Sequence, residues 1–240
     1  MTPPLLRSDR APGLLVAPGV EVPADAEIEP YVTLHAGALL GAGAVLGQSS
    51  IVGRPQRVDR RSRAPVVDAA TPTVVGEGAM LGTGAIMVAG SVLGPGAYLG
   101  DRATMRELAR VGPQSVIGRG ASVSVRAAVG ARVRVFNDVI LAPGTTVEDD
   151  VLIGPGVITL SDSTMGRGGR TEPASGIVLG RACRIGTRAI VEPGVRIGRE
   201  AVVGAASLVR EDVPERTVAM GVPARARRAV ADEELLERWR

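Results

Sequence analysis

From Val75 onward, every sixth residue is aliphatic or methionine: Val75, Leu81, Met87, Leu93, Leu99, Met105, Val111, Ile117, Val123, Val129, Val135, Leu141, Val147 and Ile153, before Thr159 ends the run. The residue that follows is often glycine, as at Gly76, Gly82, Gly94, Gly100, Gly112, Gly118, Gly130 and Gly154. The same pattern runs earlier through Val16, Val22, Ile28, Leu34, Leu40, Leu46 and Val52, and later from Leu179 through Ile185, Val191, Ile197 and Val203 to Val209. Helices repeat at 3.6 residues and strands at two, so neither accounts for a period of six. A three-sided coil does. Each hexad supplies one short strand and one turn, three hexads close a coil, and coils stack through parallel backbone hydrogen bonds about 4.8 Å apart. The hexads make roughly nine coils, a rod of about 45 Å at that spacing. The aliphatic residue points inward and the glycine stands at the corner, where a positive φ or a close backbone approach demands it.

The phase breaks twice. From Val52 to Val75 the chain carries Arg54-Pro55-Gln56-Arg57 and Arg60-Arg61-Ser62-Arg63-Ala64-Pro65, which predicts an excursion over about 54–73. Between Thr159 and Leu179 a polar, glycine-rich stretch predicts a second over about 160–177. Insertions in a solenoid become loops, often on the binding face. After Val209 the repeat stops, and Asp232–Trp239 reads as a short helix with acids early and Arg late. The expected organisation is an all-β solenoid over 1–225 and a helical cap over 226–240.

Composition narrows the function. Apolar residues make up 45% of the chain and aromatics only 2%, which suits thin, tightly wound layers. All 28 basic residues are Arg, so no lysine Schiff base or P-loop lysine exists. One His (His35) and one Cys (Cys183) exclude an intrachain disulfide and any Cys/His zinc site of three or four ligands within one chain, so no metal is expected. The Arg residues lack aromatic interleaving and the net charge is only +3, which points away from nucleic acid. No apolar run of 18 residues occurs, and no apolar leader opens the sequence, so the expected setting is cytoplasmic rather than membrane-bound.

The hexads resemble those of the hexapeptide-repeat acyltransferases, a family of left-handed parallel β-helices; the handedness comes from that resemblance alone. Residues 178–228, with the exit Gly221-Val222-Pro223-Ala224-Arg225, look close to the family's last coils. The stretch from Phe136 to Ser163 resembles the branch that N-acetylates amino sugars on nucleotide carriers. The resemblance implies a homotrimer with active sites between neighbouring prisms, acetyl-CoA as co-substrate and a small-molecule amine acceptor. Residue by residue, Asn137 falls on a polar position of the acceptor site, while Asp138 stands where Asn is frequent. The donor end falls on Thr187, Ala205 and Ser207 for the pantetheine, and on Arg210, Arg225 and Arg227 for the phosphates, where guanidinium suits bidentate contact.

Acyl transfer to an amine needs a neutral amine, placement near the thioester and stabilisation of the oxyanion. An oxygen nucleophile also wants a base. His35 lies about 100 residues before the acceptor stretch, so a base is missing there and an amine acceptor is favoured. Candidates to replace it are sought where glycine fails after the inward residue: Arg106, Ser124, Phe136, Ala142 and Glu148. Asn137 and Glu148 are the expected catalytic pair, with Asp138, Asp162, Arg106 and Phe136 binding substrate. The plainer alternatives are turn chemistry for the acids, a surface ion pair for Asp150 over Arg132, and packing for Cys183. Alternative functions are an O-acetyltransferase, an amino-acid-type N-succinyltransferase, or a non-catalytic β-helix scaffold.

Overall fold

The structure, a computed structural model, describes residues 4–57, 65–164, 167 and 176–236. The tips of both expected excursions and the end of the expected helix, including Trp239, lie outside the described residues. Within them the chain winds as a three-sided prism of short strands, most of them two residues long. Three sheets form its faces, with 11, eight and 11 strands. Face 1 runs in parallel from Leu15–Val16 to Leu208–Val209, face 2 from Ala38–Leu40 to Arg196–Ile197, and face 3 from Glu27–Ile28 to Thr217–Gly221. Neighbouring coils pair 18 residues apart, as in Met87↔Met105, Leu93↔Val111 and Leu99↔Ile117.

The inward series is the core. Leu93, Leu99, Met105, Ile117 and Ile153 have no exposed surface. A second inward row lies two residues ahead of it, because alternate strand residues share a side. Ala79, Ala85, Ala97, Ala103 and Ala109 fill it, all buried. The outward residues of face 1 are Leu15, Thr33, Ile51, Ile86, Thr104, Ser122, Ile140, Ile158, Ile190 and Leu208; none is charged, whereas faces 2 and 3 carry Arg110, Arg196, Arg134 and Arg184.

The three edges differ. Edge 2 (face 2 to face 3) and edge 3 (face 3 to face 1) carry glycine after the inward residue in most coils. The reason is close approach: a Cβ on Gly118 would sit 2.5 Å from the carbonyl carbon of Phe136 in the next coil. Positive φ falls two residues further on, at Gly84 and Gly96 but also at Arg102, Gln114, Arg132 and Asp138. Edge 1 (face 1 to face 2) carries His35, Val88, Arg106, Ser124, Ala142, Glu192 and Arg210 at the position glycine holds elsewhere.

Both excursions leave from edge 1. The neck of the first is held by Gln56, whose Nε2 donates to the Pro65 carbonyl (2.7 Å) while its Oε1 accepts from Val67 N–H (3.0 Å). Where each excursion meets the prism, a buried threonine repairs the ladder. Thr73 Oγ1 accepts from Gly90 N–H (3.1 Å). Thr159 Oγ1 accepts from Ala142 N–H (2.7 Å) and donates to the Ile140 carbonyl (3.2 Å), which accounts for the single polar residue in the inward series.

Antiparallel strands close the two ends. Leu6–Arg7 pairs with Leu15–Val16, and the Arg10 guanidinium donates to the carbonyls of Pro23 (3.1 Å) and Ala26 (3.2 Å). At the other end Ala224–Ala229 folds back on Thr217–Gly221. This corrects the expected cap: the boundary at 225/226 cuts a strand, and the described part of the expected helix is a 3-10 turn over Asp232–Glu234. That turn is tied to the strand by Arg228 and Glu234 (2.7 and 3.0 Å), and Leu235 then runs extended to pack with Val218 and Val230.

Candidate functional site

Edge 3 gathers the largest group of expected residues. Its second corner position reads Asp101, Arg119, Asn137, Pro155, Thr187 and Ala205 in successive coils. The column is continuous: Gly156 N–H donates to the Asn137 carbonyl, Arg188 N–H to that of Pro155, and Ala206 N–H to that of Thr187, each at 2.9 Å. Asn137, Asp138 and Phe136 from the acceptor set therefore share one edge with Thr187 and Ala205 from the donor set. Phe136 is 42% exposed, an uncommon state for the chain's one phenylalanine. The Asn137 side chain accepts from Arg119 N–H (3.1 Å) through Oδ1.

Glu148 stands elsewhere, on edge 2. Phe136 and Glu148 are twelve residues apart, two hexads, so the winding puts them on different edges. Within one chain the structure does not bring the expected catalytic pair together. Glu148 Oε2 accepts from Arg181 N–H (2.8 Å), and Asp149 Oδ1 from Ala131 N–H (2.8 Å). Asp150 lies over Arg132 as its spacing requires; its buried carboxylate meets Arg132 Nε at 2.8 Å and Arg181 Nε at 3.4 Å. The three acids are thus bound into the coil stack.

Edge 1 holds Arg106, whose guanidinium makes two bonds (2.8 and 3.1 Å) to the buried Glu107 carboxylate. Arg106, Ser124 and Ala142 do stack there, but lack of glycine is the rule of this edge rather than an exception to the repeat. Phe136 and Glu148 are exceptions within glycine columns, as are Glu29 and Met220 near the two ends of edge 3. Asp162, at the start of the second excursion, accepts from Thr164 N–H (2.7 Å) and its hydroxyl (2.6 Å), a turn closed by its own side chain. Further along, Glu192, Arg210, Glu211, Pro223 and Arg225 line a cleft of about 230 Å³. It joins two of the expected phosphate ligands, with Arg210 paired to Glu192 (3.1 Å) and Arg225 to Glu211 (3.4 Å). Arg227 lies on the same strand as Arg225, Ala224–Ala229. Ser207 is buried and its Oγ accepts from Gly221 N–H (3.1 Å), so it fastens the exit hairpin.

His35 is on edge 1, about five coils or 24 Å from Asn137 along the axis. Burial, and then the charge of Arg54, hold its imidazole below the usual pKa, and its buried Nδ1 has no hydrogen-bond partner among the described residues. Among the described residues no cluster of three or more His, Cys, Asp or Glu could hold a metal ion, and no helix is long and apolar enough to cross a membrane. Sequence reasoning missed edge 1's Glu107 and the mostly apolar groove of about 490 Å³ over Val92, Arg110, Ala128 and Thr146. The 18-residue column spacing was the signal that could have found both.

The family model for the hexapeptide repeat of succinyl-transferase matches residues 176–209. The galactoside O-acetyltransferase of Escherichia coli (strain K12) is 41% identical over 58 residues, 24% of this chain and 29% of that protein. The 2,3,4,5-tetrahydropyridine-2,6-dicarboxylate N-acetyltransferase of Enterococcus faecalis (strain ATCC 700802 / V583) is 39% identical over 79 residues, 30% of this chain and 34% of that protein. These matches span about a third or less of each relative's length. LpxA, a UDP-N-acetylglucosamine acyltransferase from Bacteroides fragilis 9343, shares the fold with a TM-score of 0.62 at 14% identity, over 94% of this chain and 75% of that one. The three-sided parallel coil and the likeness to LpxA give the chain the left-handed parallel β-helix fold, and residues 176–209 match the hexapeptide repeat.

Proposed function

We propose that this chain is a CoA-dependent acyltransferase that moves an acetyl group to the amine of an amino sugar, free or nucleotide-linked, or of a related small molecule. The observation that carries this reading is the hexapeptide match at 176–209 together with relatives named as acetyltransferases. The edge 3 column supports it, since acceptor candidates (Phe136, Asn137, Asp138) continue into donor candidates (Thr187, Ala205). The cleft with Arg210 and Arg225 is the phosphate end of the same proposal, with Arg227 beside it.

Glu148, Arg106 and Asp162 lie on other edges, so they join Asn137 only if a second copy completes the site. The uncharged outward row of face 1 suits such packing between copies, and a homotrimer is the assembly proposed. The reacting amine is taken up neutral and attacks directly, because the chain's one histidine lies about five coils away along the axis. A second reading, transfer to a hydroxyl, is favoured by the galactoside O-acetyltransferase likeness.

Thermal-shift titration with acetyl-CoA tests the donor half, because a ligand of the native state raises the midpoint by mass action. A shift, followed by turnover with amino sugars and not with their hydroxyl analogues, is the expected result. No shift with any acyl-CoA would leave the scaffold reading in its place.

A further inference from the structure

Three side chains at the second corner position make one and the same bond. Asp101 Oδ1 accepts from Thr83 N–H (3.0 Å), Asp149 Oδ1 from Ala131 N–H (2.8 Å), and Asn137 Oδ1 from Arg119 N–H (3.1 Å). Each reaches back 18 residues and ties its coil to the one before. Aspartate serves this purpose twice, so the fold does not require an amide at 137. What asparagine adds is the other half of its side chain.

The donor at Arg119 is a backbone N–H, which only the amide oxygen can accept. Oδ1 is therefore committed to the coil, and Nδ2 is turned away from it, carrying two N–H donors and no charge. Nδ2 makes no hydrogen bond among the described residues. Asn137 directly follows the exposed Phe136, and the next positions of its column are Pro155, Thr187 and Ala205. A fixed, neutral, outward donor with its orientation locked by an inter-coil bond is suited to an oxygen that gains negative charge.

Resting on the acyl-transfer reading above, we infer that Asn137 Nδ2 donates to the thioester carbonyl oxygen and stabilises the oxyanion. The amine nitrogen adds its lone pair to the thioester carbon, and the carbonyl π electrons move to that oxygen. The tetrahedral intermediate collapses, expels the CoA thiolate, and the proton leaves the nitrogen for the thiolate, giving an amide and free CoA. Asn137 transfers no proton, and its contribution is greatest when the oxygen is charged. A carboxylate in its place would keep the coil bond and repel the oxyanion.

The test is Asn137→Asp, with Asp101→Asn as the reciprocal control, followed by melting and by calorimetric titration with acetyl-CoA and with free CoA. Asn137→Asp is expected to melt within about 2 °C of the unsubstituted chain, to bind acetyl-CoA at least tenfold more weakly and to bind free CoA within twofold. With an acceptor in hand, its kcat is expected to fall by about 10²–10³, the size seen when one oxyanion donor is removed. Asp101→Asn should leave all of these unchanged. Three results overturn the assignment alone: an Asn137→Asp midpoint lowered by more than about 5 °C, acetyl-CoA and CoA weakened alike, or neither weakened. Failure of the unsubstituted chain to bind either CoA species overturns the acyl-transfer reading and the assignment with it.

Discussion

Two kinds of corner glycine should respond in opposite order to what their dihedral angles suggest. Gly84 has φ +66°, and the nearest atom to an added Cβ is the Arg102 Cγ at 3.6 Å. Alanine there meets the left-handed penalty of about 1–2 kcal/mol, partly offset by the smaller entropy of the unfolded chain, about 0.4–1 kcal/mol. The expected loss is about 1 kcal/mol, in keeping with Arg102 and Gln114 holding the same corner position. Gly118 has no positive φ, yet its Cβ would lie 2.5 Å from the Phe136 carbonyl carbon and 2.7 Å from Asn137 N. Relief to an ordinary contact of about 3.4 Å moves the coils apart by roughly 0.9 Å, and overpacking on this scale costs about 1–3 kcal/mol. The Gly118 N–H to Val135 carbonyl bond, now 2.7 Å, would be stretched out of range, for about 1 kcal/mol more. Less the same unfolded-chain offset, Gly118→Ala should thus lose about 2 kcal/mol, about twice the effect at Gly84. Urea unfolding followed by far-ultraviolet circular dichroism, at one fixed protein concentration, measures both. Equal losses, or a larger loss at Gly84, would refute close approach as the reason for these glycines.

Other outcomes follow from single side chains. His35→Ala should keep turnover within about threefold if no base is used, and a hundredfold loss in a folded variant would restore a histidine mechanism. Since burial lowers the His35 pKa from 6.5, the unfolded chain binds its proton more readily, so this residue's contribution to stability falls as pH drops through about 6.5; urea midpoints of the His35→Ala variant should lack that component. Glu234 is held to about 2 by Arg228 and the Ala231 N–H, so the terminal turn should be intact above pH 4.5 and loosen as pH falls toward 2; a carboxyl carbon titrating near 4.5 by NMR would contradict this. Burial pushes the Cys183 thiol far up, so a disulfide reagent should label it only on unfolding, and rapid labelling of the folded chain would show that the coil opens there.

The coil itself was legible because its packing is local: Leu99 meets Leu81 and Ile117, and the register alone settles that. The two excursions were legible as breaks of phase between Val52 and Val75 and between Thr159 and Leu179. A period of six records depth in the prism and says nothing of which edge a residue occupies. Reading Phe136 and Glu148 as one group lost the 18-residue period that separates them. The alanine row went unread because alanine gives little contrast against glycine. The left-handed positions of Arg102 and Asp138 went unread because they are not glycine. At the chain's far end the acidic start of Asp232–Glu234 suggested a helix, but Leu235 had an apolar place to fill beside Val218 and Val230, and one turn is all that fits before it.

The antiparallel closures make the rod a counted object. A parallel stack has no intrinsic last layer, since each coil offers the next the same row of donors and acceptors, and an exposed edge of that kind invites growth. Here Leu6–Arg7 blocks face 1 at one end and Ala224–Ala229 blocks face 3 at the other. A second molecule stacked head to tail would set a blocked face over an open one at both of those faces. The mismatch disfavours filaments while leaving the long sides of the prism open to neighbours, so association is steered sideways and the molecule keeps the height its sequence wrote.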